Sequence, residues 1–163
     1  MLAVSNTSPI SNLASIRHLD LLKLQFTALW VPDAVAEELA AHPSPVALAA
    51  IQTAIRDGWI RKATVQSSIL QSLLLASLHK GESEAIALAV DLKADTVIID
   101  EQEGRKLATQ AGLAVTGVLG ILLRAKLAGQ ISAVKPEIRA LRDIARFFIA
   151  PSLEARVLSL AGE

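Results

Sequence analysis

Apolar residues along this chain switch repeatedly between two spacings. Short continuous runs, Leu2-Ala3-Val4 before Ser5, Ala28-Leu29-Trp30-Val31 before Pro32, Thr96-Val97-Ile98-Ile99 before Asp100, and Leu113-Ala114-Val115, predict buried strands. Between them the spacing is helical. Ser8 before Pro9 reads as a helix start, and Leu19, Leu21, Leu22 and Leu24 support a short second helix. Residues 33–41 carry Ala34, Val35, Leu39 and Ala40 inward with Glu37 and Glu38 alongside, and stop at His42-Pro43. Ser44-Pro45 opens the next helix, which runs to Asp57-Gly58, and Trp59 to Lys62 reads as an edge strand or connector. Gln66 to Leu78 reads as an apolar helix, and Glu82-Ser83-Glu84 opens another through Leu92 with its acids in the first turn, where the helix dipole favours them. Later helices end at Ala111-Gly112 or cover Val118 to Ala128, Glu137 to Arg146 and Ser152 to Leu160, with the run Phe147-Phe148-Ile149 between the last two.

Strands alternating with helices imply an α/β three-layer sandwich, a central parallel sheet flanked by helices on both faces. No repeat, low-complexity stretch or long linker divides the chain, so residues 1–163 are expected to form a single domain. Hydrophobic residues at 52% against 20% charged argue against disorder and leave apolar surface for a partner subunit, which makes a homodimer or higher homo-oligomer the expectation. The absence of cysteine excludes disulfides, thiolate metal sites and cysteine nucleophiles, and fits a cytoplasmic setting. The opening residues lack a basic lead and read as a strand, not a signal peptide. Gln71, Asp91 and Arg124 interrupt the richest apolar runs well before the ~20 residues that span a bilayer, so no membrane is expected.

A formal net charge of zero conceals an uneven distribution. Residues 1–104 carry 7 Lys and Arg against 12 Asp and Glu, whereas residues 105–163 carry 9 against 4. An enzyme acting on a polyanion through a metal wants acids at the metal and bases where phosphates lie; solvated helix faces give the same split. Glycine-rich phosphate loops are absent, which argues against a dinucleotide fold or a P-loop. Aromatics at 3% supply no base-stacking platform of the kind single-strand binding modules use, so any RNA recognition is expected to rest on phosphate contacts and shape.

In open parallel sheets ligands bind beyond the carboxyl ends of the strands, so polar residues directly after an apolar strand are the first candidates for chemistry. Asn6 and Asp100 meet that test; Asp100 also suits an N-cap of the helix that follows it. Glu38 and Glu84 are acids on helices otherwise rich in Ala, Leu and Ile, and both can point at the same edge. His18, His42 and His79 have no spacing that pairs them on one helix face, so helix-end or surface roles are expected.

The ordered segments Val4-Ser5-Asn6-Thr7-Ser8-Pro9-Ile10, Val31 to Leu39, Gly81 to Ala89 and Val97-Ile98-Ile99-Asp100-Glu101 resemble the motifs of PIN-domain proteins, with the nearest likeness to the small prokaryotic branch of VapC-type toxins. The resemblance spans nearly the whole chain, including Thr116 to Leu122 with Ala125-Lys126 and Gly129 after it. It implies a ribonuclease dependent on Mg²⁺ or Mn²⁺ that hydrolyses RNA phosphodiesters, usually dimeric, and paired with a cognate antitoxin. Carried across, the four acids of the family fall on Asn6, Glu38, Glu84 and Asp100 as catalytic metal ligands, with Glu82 and Glu101 as additional acids nearby. Thr7 and Ser8 order the site or contact phosphate, or Ser8 caps the helix at Pro9; Arg105, Lys106, Arg124 and Lys126 are the bases placed nearest the metal edge. Asn6 departs from the family pattern. An amide oxygen can ligate a hard cation but carries no charge, so either Glu82 or Glu101 compensates, or the domain binds one metal weakly, or it has lost cleavage and acts as a binding or regulatory module.

Overall fold

A computed structural model describes all of residues 1–163. The chain begins with β1 (Leu2–Ser5), α1 (Thr7–Ser15), α2 (Asp20–Gln25), β2 (Ala28–Pro32), α3 (Asp33–Ala40), α4 (Pro45–Arg56) and β3 (Ile60–Ala63). It continues with α5 (Ser68–Leu74), α6 (Lys80–Asp91), β4 (Thr96–Ile98), α7 (Gln102–Gln110), β5 (Val115–Thr116), α8 (Val118–Leu127), α9 (Lys135–Asp143) and α10 (Pro151–Ala161). All pairings are parallel in the order β3-β2-β1-β4-β5, with Ala3 opposite Leu29, Val4 opposite Val97 and Ile98 opposite Thr116. The expected parallel α/β sandwich is therefore present. No helix is long and apolar enough to cross a membrane.

Side chains alternate across a strand, so each strand feeds both layers. Ala3 and Ile98 join a core of 29 buried residues with Ile10, Leu22, Leu39, Ile51 and Ile121, whereas Val4, Val97 and Ile99 join a smaller core of 10 with Ile86 and Leu88. The smaller core depends on α6, whose residues Gly81 to Ala89 are all buried.

Several boundaries differ from expectation for identifiable reasons. The first helix starts at Thr7, with Pro9 as its third residue; the first turn has no intrahelical use for its N–H groups, so proline fits there as well as at the start. Ser8 is consequently inside the helix and does not cap it. The helix α6 starts at Lys80, because the Glu82 carboxylate accepts the His79 backbone N–H at 3.2 Å. That places Glu84 one step beyond the first turn. The helix α5 is shorter than its apolar run, Ser68 to Leu74, and leaves Ile69 and Leu73 exposed. The strand β5 lies at Val115–Thr116, past the positive-φ turn at Gly112. The run Phe147-Phe148-Ile149 adopts no regular element.

Ile98 is fully buried at the centre of the sheet. Ile98→Ala is expected to cost about 2–5 kcal/mol and lower Tm by roughly 5–15 °C in thermal unfolding. A shift below about 2 °C would contradict a rigidly packed core at this strand.

Candidate active site

Every strand of a parallel sheet points its carboxyl end the same way, and every helix that follows begins there. Asn6 directly follows β1, Glu101 follows β4 by way of Ile99 and Asp100, Glu38 comes from α3, and Glu82 from the first turn of α6. Together with Thr7, Ser8, Ser11, Asn12, His79 and Gly81 these four residues line a cavity of ≈350 Å³ with no hydrophobic side chain in its wall. Ligand pockets are ordinarily apolar. This one suits a charged or strongly hydrated species.

Each polar group is held by a neighbour. The Asn6 amide Nδ2 donates to Glu101 Oε2 at 2.9 Å, the Thr7 hydroxyl donates to Glu38, and the His79 backbone N–H holds Glu82. Asn12 Nδ2 donates to Ser8 Oγ at 3.2 Å, which joins two α1 side chains one turn apart. Two glycines admit the acids. A Cβ on Gly81 would lie 2.9 Å from Glu38 Oε1, and one on Gly104 3.3 Å from Glu82 Oε1. Glu38 and Glu82 therefore rest against the first turns of α6 and α7, where the positive end of the helix dipole offsets their charge. Burial pushes the Glu82 carboxyl up, with the Glu101 and Glu38 charges adding to it and the His79 N–H opposing.

Glu84 is buried but turned elsewhere. Its Oε2 accepts from Ala34 N at 3.0 Å and its Oε1 from Gln71 Nε2 at 3.1 Å, so it caps the start of α3. Glu82 and Glu84 stand two residues apart, about 200° around a helix of 3.6 residues per turn, and cannot both face the cleft. Asp100 does not cap α7, where Glu101 holds the N-cap position; its Oδ1 accepts from Val118 N at 2.8 Å, at the start of α8. A Cβ on Gly117 would lie 2.5 Å from that oxygen and 3.1 Å from Arg105 Nη1. Burial raises the Asp100 carboxyl to about 6, with the Glu101 charge in support and the Val118 N–H, Arg105 and Ser8 opposing.

The four expected bases do not converge. Arg105 Nη1 donates to Ile99 O beside Asp100, while Lys106 pairs along α7 with Glu103 at 3.8 Å. Arg124 donates to Gln25 and lies over Phe26, and Lys126 reaches Ser132 O. At 1.5 Å per residue these last two sit roughly 9–12 Å down α8 from Asp100, so they are structural at the far end of that helix. Sequence reasoning missed Ser11, Asn12 and His79 as cleft residues. The signal available for Asn12 was its position four residues after Ser8, on one helical face.

No group of three or more acidic or histidine side chains is arranged to hold a metal ion. The donors nonetheless have the chemistry of a hard-cation site. Asn6, Glu38, Glu82 and Glu101 all offer oxygens, and Asn6 Oδ1 is buried without a hydrogen-bond partner, as is Asp100 Oδ2 on the residue before Glu101. A buried acceptor with no donor is a deficit that a cation would fill.

The family model DUF3368, described as a PIN domain, matches residues 2–163. No curated protein matches the chain. Among solved structures, a PilT N-terminus domain protein from the hyperthermophilic archaeon Sulfolobus solfataricus P2 is similar at a TM-score of 0.50 and 19% identity, covering 77% of this chain and 93% of that one. At that identity the likeness concerns the fold.

The raised Asp100 carboxyl has a defined consequence for stability. Below about pH 4 the group is neutral whether folded or unfolded, and the favourable burial is fully present; as pH rises through about 6 the fold must hold a charge it disfavours, and that stability is lost. Asp100→Asn keeps an acceptor for Val118 and never ionises. In metal-free protein at pH 7.5 it is expected to add up to about 3 kcal/mol, and close to nothing near pH 4. Equal effects at both pH values in urea unfolding would remove Asp100 as the source.

Proposed function

The chain belongs to the PIN-domain family, which generally comprises nucleases, and on that footing we propose that it is a metal-dependent ribonuclease whose metal is held by Asn6, Glu38, Glu82 and Glu101. The observation that carries this reading is the polar cleft at the carboxyl edge of the sheet, where three carboxylates and two amides, Asn6 and Asn12, face a space without an apolar wall. Glu82 takes the place first given to Glu84. Asp100 precedes Glu101 in the chain but does not line the cleft, and its Oδ2 is buried without a partner.

A bound Mg²⁺ or Mn²⁺ would polarise a phosphodiester and lower the pKa of the attacking water. The protein's own contribution is positional. Asn6 fixes Glu101 through its amide, Thr7 fixes Glu38, and the His79 N–H fixes Glu82, so the oxygens are oriented before an ion arrives. Without a cation the three carboxylates repel phosphate, so cleft and substrate become compatible only with metal present. A toxin role with a cognate antitoxin, a homodimeric state and a cytoplasmic location are part of the same proposal and rest on the sequence resemblance.

Asn6 favours a second reading, a binding or regulatory module that keeps the cleft but cuts poorly, because the amide removes one negative charge from the metal site. If Asn6→Asp raises cleavage of a structured RNA in Mn²⁺ by orders of magnitude from an undetectable start, that second reading holds.

Mn²⁺ is expected to raise Tm by about 5–10 °C at roughly a hundredfold excess over Kd. Glu82→Gln and Glu38→Gln should each remove most of that shift and lower RNA cleavage on the order of 100-fold, while Glu84→Gln lowers the starting Tm and leaves the metal-induced shift intact. A shift abolished by Glu84→Gln and untouched by Glu82→Gln would reverse the ligand assignment.

A further inference from the structure

Asp100 has a second neighbour. On the side away from Ser8 a cavity of ≈560 Å³ is lined by Gln102, Arg105, Phe148 and Arg156 over an apolar floor that includes Leu119 and Val157. Phe148 is 84% exposed, the most exposed large hydrophobic side chain of the chain. Leaving an aromatic ring in water forgoes the stabilisation its burial would give. Neither Arg105 nor Arg156 forms an ion pair with a carboxylate within 4 Å, although arginines elsewhere in the chain do. Arg105 is anchored by its bond to Ile99 O, which leaves its remaining guanidinium donors free to meet a ligand.

We propose that this groove binds a single-stranded RNA segment adjoining the acid cleft, with a nucleobase stacked on Phe148 and phosphates met by Arg105 and Arg156. The proposal rests on the ribonuclease reading and extends it to the path of the substrate. The cleft has no lysine or arginine in its wall, so a polyanion placed there needs its neighbouring phosphates neutralised outside it. The adjoining groove meets that need: Arg105 lies beside Asp100, and Glu101, next in the chain, lines the cleft. A flat exposed ring flanked by guanidinium groups matches the alternation of base and phosphate along a single strand, and stacking on a phenyl face tolerates any base.

The test uses the full chain and a fluorescein-labelled 12-nucleotide oligoadenylate, with affinity measured in Ca²⁺ over a range of salt. Phe148→Ala is expected to weaken binding about tenfold, Phe148→Trp to retain it, and Arg156→Gln to lower the salt slope by about 0.7, one phosphate contact. Both positions are exposed, and unchanged Tm values will confirm intact folds. Equal affinity of Phe148→Ala and the unaltered protein overturns the proposal, as does a failure of the unaltered protein to bind. A Phe148→Ala variant that changes its sedimentation but not its RNA affinity also overturns it, and identifies the groove as a contact between copies. Cleavage of the same RNA in Mn²⁺ is followed in parallel. Binding through Phe148 and Arg156 without cleavage sustains the groove and sinks the ribonuclease reading, whereas cleavage with Phe148→Ala neutral in binding sinks the groove alone.

Discussion

The arrangement depends on one electrostatic constraint: carboxylates gathered at one edge of a sheet must be offset, and no lysine or arginine lines the cleft they share. The parallel order β3-β2-β1-β4-β5 supplies the offset, because the helices that follow the strands begin at that edge with unpaired backbone N–H groups. Each buried acid uses one. Glu82 reaches the N–H of His79 at the start of α6, Glu84 that of Ala34 at the start of α3, and Asp100 that of Val118 at the start of α8. Glu38 lies against Gly81 in the first turn of α6, close enough that a Cβ there would collide with it. Lysine and arginine side chains add to this only outside the cleft, Arg105 beside Asp100 and Lys80 at 3.9 Å from Glu84, and neither lines the cleft itself.

The compensation is incomplete, and its shortfall is informative. Asp100 is raised to about 6 and Glu82 is also raised, both chiefly by burial. Asn6 Oδ1 and Asp100 Oδ2 lack donors altogether. Buried groups left unsatisfied in this way cost stability; two of the three such side-chain atoms lie at this edge, the third being Arg124 Nη2 farther along α8, and the pair at the edge marks where the fold is arranged for something beyond its own packing. The neutral amide at Asn6 fits the same picture. It adds no charge to the repulsion among the carboxylates and donates to Glu101, so it orders the cleft without adding to its negative charge.

The fold was largely legible because it is written in short-range periodicity. Strands at Leu2, Ala28 and Thr96 and helices between them followed from runs of apolar residues, and their alternation sufficed for a parallel sheet. The cleft was legible only to the level of its edge. Glu82 and Glu84 are both acids at the start of one helix, and choosing between them requires knowing which side of α6 faces α3, a tertiary fact. Ser8 before Pro9 carried a capping signal that the actual start at Thr7 overrode, which freed its hydroxyl for the cleft. The late excess of bases did not become one positive surface. Arg124 packs on Phe26, Arg142 pairs with Glu154, and Lys126 binds a backbone carbonyl. Charge counted along a sequence cannot distinguish such internal uses from a surface offered to a ligand.

Phe148 shows the same limit from the other direction. A chain with 3% aromatics offers no stacking platform by composition, and the Phe-Phe-Ile run carries no signal that one of its rings is left in solvent. Between α9 and α10, however, only Ile149 of that run is buried, because the segment forms no helix or strand that would turn all three inward. One exposed ring acquires significance from its neighbours and not from its abundance. Gly117 is central to that neighbourhood: it has no side chain to separate the Asp100 carboxylate from the Arg105 guanidinium, while Glu101, the next residue after Asp100, lines the acidic cleft. A side chain at Gly117 would collide with the Asp100 carboxylate at 2.5 Å and crowd Arg105 Nη1 at 3.1 Å, so the close approach of these two opposite charges at the edge of the sheet depends on glycine at that position.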